Sequence, residues 1–165
     1  MSAVSPLDNT ESPPSVAHNT DAFDDALQTL MAERETRTGT AIVFHGGTRE
    51  QRQQALARLT RHVTGNVHQF EMASLLNERR MQTQNSLRKA FDHAAEESAL
   101  LYFDRADVLF THRHPDAPDE DTAPTTLEYV FDRVAAFDSL VVIGLQQERH
   151  VQKAADGVHL IVRFE

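Results

Sequence analysis

Short apolar runs separated by amphipathic stripes of helical spacing leave this chain very few ways to fold. AIVFH (41–45) ends at Gly46-Gly47, and VHQF (67–70), ALLYF (99–103), LVVIG (140–144) and VHLIV (158–162) follow it. Ahead of the first run, Phe23, Leu27, Leu30 and Met31 form one helix face, with Thr20 or Asp21 placed to cap it. Leu56, Leu59 and Val63 suit a second helix. Leu87, Ala90, Phe91, Ala94 and Ala95 make a third, and Leu127, Val130, Phe131, Val134 and Phe137 a fourth, with a short helical turn expected through Val108–Phe110. Continuous apolar runs suit strands buried on both faces, and strands joined by helices pair in parallel. Right-handed crossovers then lay the helices on both sides. The pattern predicts an α/β three-layer sandwich around a five-stranded parallel sheet.

At 165 residues there is room for one hydrophobic core. The six prolines all fall in two places, Pro6, Pro13 and Pro14, and Pro115, Pro118 and Pro124. Residues 1–20 are therefore expected as a disordered acidic arm, 21–165 as the folded domain, and 111–124 as a mobile loop within it. The arm and first helix carry Asp8, Glu11, Asp21, Asp24, Asp25 and Glu33 before any basic residue, and the loop carries Asp116, Asp119, Glu120 and Asp121. These segments hold most of the net charge of −9. The body of the fold offers no strongly basic face, which argues against nucleic acid as a partner. With no cysteine, disulfides and thiolate zinc sites are excluded. No run approaches the ~20 apolar residues of a membrane span. The N-terminus lacks the basic start and apolar stretch of a secretory signal, so a cytoplasmic protein is expected.

The stretch NSLRKAFDHAAEESALLYFDRADVLF (85–110) resembles the AAA+ ATPases, in which a helix leads into the Walker B strand. In that family the strand ends in Asp-Glu, followed by Ala-Asp-x-Leu-Phe. Asp104, Ala106, Asp107, Leu109 and Phe110 match, and Arg105 stands at the glutamate position. AIVFHGGTREQRQQALARL falls where the Walker A strand, loop and helix would lie, FDSLVVIGLQQERHV resembles the sensor 1 strand and its turn, and VHLIVRFE the last strand. The variant most similar is the AAA+ ATPase found beside phage-tail-like contractile injection systems. The resemblance spans about residues 39–165 and implies the strand order 5-1-4-3-2.

Residue by residue, the chemistry departs from the family. A P-loop closes backbone N–H groups around phosphate, neutralises it with Lys and holds Mg²⁺ with Ser or Thr. Counted from Gly46 the loop reads GGTREQRQ, so the first glycine, Gly46, survives with Gly47 beside it, Gln51 replaces the last glycine, Arg52 the lysine and Gln53 the hydroxyl residue. Arginine's planar fork is no substitute for a compact ammonium. Asp104 matches the magnesium-binding acid, but Arg105 cannot accept a proton from water as the glutamate would. The simpler reading of Asp104–Arg105 is a strand-end ion pair or helix cap. Gln146 is nearest to the sensor 1 asparagine. Asp156-Gly157 falls where finger arginines are expected, and the sequence ends where the helical lid would begin. The resemblance so altered implies a catalytically inactive protein that needs no cofactor, has no catalytic residue and binds another protein. The partner would be an injection-system component or a catalytic AAA+ relative. Weak binding of ATP and Mg²⁺ without turnover, or ATP hydrolysis through Arg52 and Asp104, are the alternatives.

Two further groupings have plainer readings. His112 and His114 lie near the acidic run of residues 116–121, which suits a solvated loop better than a metal site. Arg49, Arg52, Arg58 and Arg61 leave part of the second helix basic, either as a solvated face or as a docking patch for an acidic partner.

Overall fold

The computed structural model describes residues 13–34, 39–62, 66–112 and 125–164. Among them run β1 (Ser15–Ala17), α1 (Asp21–Arg34), β2 (Ala41–His45), α2 (Arg49–Thr60), β3 (Val67–Glu71), α3 (Arg80–Glu96), β4 (Leu100–Asp104), α4 (Thr126–Ala136), β5 (Val141–Leu145), α5 (Glu148–Ala154) and β6 (Leu160–Arg163). Short 3₁₀ turns at Met72–Leu75, Ala106–Phe110 and Ala155–Gly157 join some of these elements. The strands make one sheet in the order β1-β6-β2-β5-β4-β3, parallel throughout.

The five expected runs supply β2 to β6 in the expected order, β2 at its expected ends and the others shifted at one or both ends by one or two residues. The sheet has six strands, however, and not five. The additional strand, Ser15–Ala17, lies in the stretch read as a disordered arm. Prolines 13 and 14 do not prevent it, because the first contact needs a carbonyl and not an N–H: Ile161 N–H donates to Pro14 O at 2.9 Å. His18 N–H closes the other end on Arg163 O at 3.0 Å, and Val16 packs on the apolar layer beneath α1. Residues 1–12 of the expected arm, Val63, and residues 113–124 of the expected loop lie outside the described residues.

Side-chain alternation along the strands divides the core in two. On one face Ile42, Phe44, Leu100, Tyr102, Val142, Leu160 and Val162 meet Phe23, Leu27 and Leu30 of α1 and Ala55, Leu56 and Leu59 of α2. On the other, Val43, Leu101, Phe103, Val141, Ile143 and Ile161 meet α3, α4 and α5 through Leu87, Phe91, Val130, Val134 and Val151. A fully buried Leu, Phe or Ile stabilises by roughly 1.5–3 kcal/mol, so either layer would hold its helices without strong intrinsic propensity. Capping boxes fix two helix starts. Thr48 and Gln51 exchange side-chain and backbone hydrogen bonds at α2, and Thr125 and Glu128 do so at α4. The result is a three-layer α/β sandwich, compatible with the P-loop type.

Candidate functional site

In open parallel sheets the chemistry gathers beyond the carboxyl ends of the strands. There β2 passes into α2 through Gly46 and Gly47, with φ of 82° and 80°. At Gly47 a β-carbon would come within 2.4 Å of Phe164 Cβ, so only glycine fits beneath that ring. Three backbone donors of this turn have partners within the chain. Gly46 N–H donates to Leu145 O at 2.9 Å, Thr48 N–H to Gln51 Oε1 at 2.9 Å, and Gln51 N–H to Thr48 Oγ1 at 3.1 Å.

Arg52 lies under the turn, 5% exposed. Its Nη1 donates to Gly47 O at 2.8 Å and Gly46 O at 3.4 Å. Its Nε stands 3.2 Å from Asp104 Oδ1, an ion pair set off the line a hydrogen bond requires. From the sheet, Tyr102 Oη donates to the same Oδ1 at 2.8 Å. Burial, and then the bond to Asp104, push the Tyr102 phenol well above its ordinary value. Gly144 leaves the space, since a β-carbon there would stand 3.1 Å from Asp104 Oδ1 and 3.3 Å from Tyr102 Oη. A phosphate cradle turns N–H groups inward. This turn presents carbonyls instead, and they grip a cation belonging to the chain itself.

The other site residues disperse. Gln53 is drawn towards β3, where its Nε2 donates to Gln69 Oε1 at 3.2 Å. Gln146 is exposed, and its backbone N–H donates to Asp107 Oδ1 at 2.8 Å. Asp104 does not pair with Arg105 as the simpler reading expected. Arg105 turns outward in the left-handed region (φ 51°, ψ 49°) and meets Glu71 Oε1 at 3.3 Å, both side chains largely exposed at 69% and 56%. Left-handed backbone costs a non-glycine residue roughly 1–2 kcal/mol, and an exposed ion pair returns ~0–1. Nor is α2 a continuous basic face, because Arg52 is buried and Arg58 lies over the Phe23 ring and pairs with Asp24 at 3.4 Å.

Two groupings were not legible in the sequence. Asp107 accepts from the Gln146 and Gln147 backbone at 2.8 and 3.0 Å and holds His150 Nδ1 at 2.7 Å, with Phe110 stacked on the imidazole at 4.6 Å. It thereby pins the 106–110 turn to α5. At the end of β6, Arg163 donates through Nε to Ser15 Oγ at 2.6 Å and through Nη1 to His45 Nδ1 at 2.6 Å and Glu148 Oε1 at 2.8 Å. The hydrogen bond from Arg163 holds the Glu148 carboxyl below its usual range, helped by the charge of Arg163. Asp156 and Gly157 form an exposed turn, with Gly157 fitted against Phe131, where a β-carbon would approach Cδ1 to 2.6 Å. No grouping of three or more potential metal ligands occurs among the described residues, and none of their helices is long and apolar enough to cross a membrane. No protein-family model matches the sequence, and no curated protein matches it.

Proposed function

We propose that the chain is a non-hydrolysing relative of the AAA+ ATPases that acts in the cytoplasm by binding another protein. An injection-system component or a catalytic AAA+ relative is the partner class the sequence resemblance suggests. One observation carries the reading: the Arg52 guanidinium fills the turn after β2 and pairs with Asp104, the two positions where bound phosphate and magnesium would otherwise meet. For ATP to bind there, a buried arginine would have to leave two carbonyls and a carboxylate, and breaking such a pair costs about 3–5 kcal/mol. Arg105, in place of a water-activating glutamate, adds no base.

The test is phosphate release by the purified protein with ATP and Mg²⁺, beside Asp104→Asn to expose a contaminant. The expected result is no release above background in either. Turnover of ~1 s⁻¹ lost in the variant would overturn the proposal, since working enzymes commonly reach that rate. Saturable ATP binding without turnover would favour a nucleotide sensor instead.

A further inference from the structure

Arg105 has a backbone that the fold needs and a side chain that it does not. The left-handed turn at φ 51° sends the chain from β4 into the 106–110 turn, so that Asp107 reaches α5. The other non-glycine residue with positive φ among those described is Ser98, which ends α3 as its amide and that of Ala99 return to Ala95 O and Ala94 O. Glycine or asparagine would make the turn at 105 with less strain. The arginine's contact of 3.3 Å to Glu71 lies in solvent, where it adds little to the fold.

The surroundings of Arg105 suit a carboxylate. Asp107 ties this turn to the start of α5, where Gln146, Gln147 and Arg149 are all exposed. Arg149 forms no ion pair with another described residue, and the neighbouring Glu148 is engaged by Arg163. Glu71 already displays the contact that a foreign carboxylate would make with the guanidinium. Arg105 and Arg149, with two amide side chains, are therefore exposed beyond the carboxyl ends of the neighbouring strands β4 and β5. Arginine's fork is suited to pairing with carboxylates at an interface.

We propose that Arg105 anchors a docking surface for an acidic protein segment, one carboxylate of which replaces Glu71 at the guanidinium. The assignment rests on the protein-contact reading above and specifies the chemistry of the partner. The probe is a short fluorescein-labelled peptide of glutamate and serine, followed by anisotropy at low ionic strength with the full chain. A version with lysine in place of glutamate serves as control. The acidic peptide is expected to bind, the basic one not. Arg105→Asn should weaken binding about tenfold, with Arg105→Lys intermediate. Arg149→Ala should weaken it less. Arg105→Asn should also melt no lower than the wild type. Equal binding by wild type and Arg105→Asn, absence of binding, or a lower melting temperature for Arg105→Asn would each overturn the assignment. ATP turnover would instead overturn the reading of function while leaving the peptide result untouched.

Discussion

Arg52 and Arg163 both meet a carboxylate near the same end of the sheet, yet they work under opposite conditions. Arg52 is 5% exposed, clasped by two carbonyls, and faces an Asp104 that also holds the Tyr102 hydroxyl. The Arg163 side chain is 40% exposed and its partner Glu148 48%, with Ser15 and His45 as further neighbours. Water compensates whichever partner is lost at Arg163, whereas at Arg52 nothing does. Buried pairs are thus poor sources of net stability and severe liabilities when broken, and exposed pairs are neither. The inner pair joins the turn after β2 to the end of β4; the outer one ties β1, β2, β6 and α5 together.

The largest effect is expected on breaking the inner pair from one side. Asp104→Ala should cost about 3–5 kcal/mol in urea unfolding, because it strands a buried guanidinium. The double variant Arg52→Met/Asp104→Leu should cost clearly less than the sum of the single variants Arg52→Met and Asp104→Leu, a coupling of ~0.5–3 kcal/mol. Simple additivity would show that the two groups do not act as a pair. Gly47→Ala comes next, at about 2–4 kcal/mol, combining left-handed backbone with the approach to Phe164. A near-neutral result would mean that the Phe164 ring moves aside freely.

Tyr102→Phe sharpens the comparison from within the sheet. It removes the hydroxyl donated to Asp104 and should cost ~1.5–3 kcal/mol at neutral pH. The folded protein holds the phenol proton more tightly than the unfolded chain, whose ordinary value is 10.0. This contribution to stability is therefore full below that value and falls as pH rises above it. The phenylalanine variant should show a shallower alkaline decline by one proton's worth. Identical slopes would place the hydroxyl in water and not on Asp104.

How much of this was readable in the sequence follows from signal length. Strands β2 to β6 announce themselves as apolar runs, and their order followed from the resemblance around residues 85–110. Strand β1 could not be seen, since three residues beside two prolines carry no periodicity and their partners, the β6 backbone and the Arg163 side chain, lie far away in sequence. Helix α5 was hidden for a similar reason: its seven residues, ERHVQKA, present too short a stripe, and Asp107 supplies the hold on its start from another segment. At the candidate site, the substitution of Arg52 for a P-loop lysine was plain, but its destination was not. A basic residue on a polar helix reads as solvated. Only folding reveals that Gly144 and the paired glycines at 46 and 47 leave a place for it beside Asp104.

The smallest effect tests the outer half of the comparison. Glu148→Gln removes the charge facing Arg163 at 2.8 Å and His45 at 3.6 Å while preserving most of the shape. Because the pair stands in water, the expected cost at neutral pH is below about 1 kcal/mol, and added salt should reduce it further. Its pH dependence runs opposite to that of Tyr102. The Glu148 carboxyl is held below its ordinary 4.5, so its contribution is present above that value and fades as pH falls through the lower folded value. Wild type and variant should therefore converge in acid and in high salt, as followed by thermal melting. The loss in Asp104→Ala should persist in salt, since ions do not reach the buried guanidinium. If Glu148→Gln cost as much as Asp104→Ala, or kept its full cost in high salt, the contrast between the two arginines would fail. Arg163 would then be as much a core element as Arg52, and β1 a permanent strand rather than one held by a solvated tie.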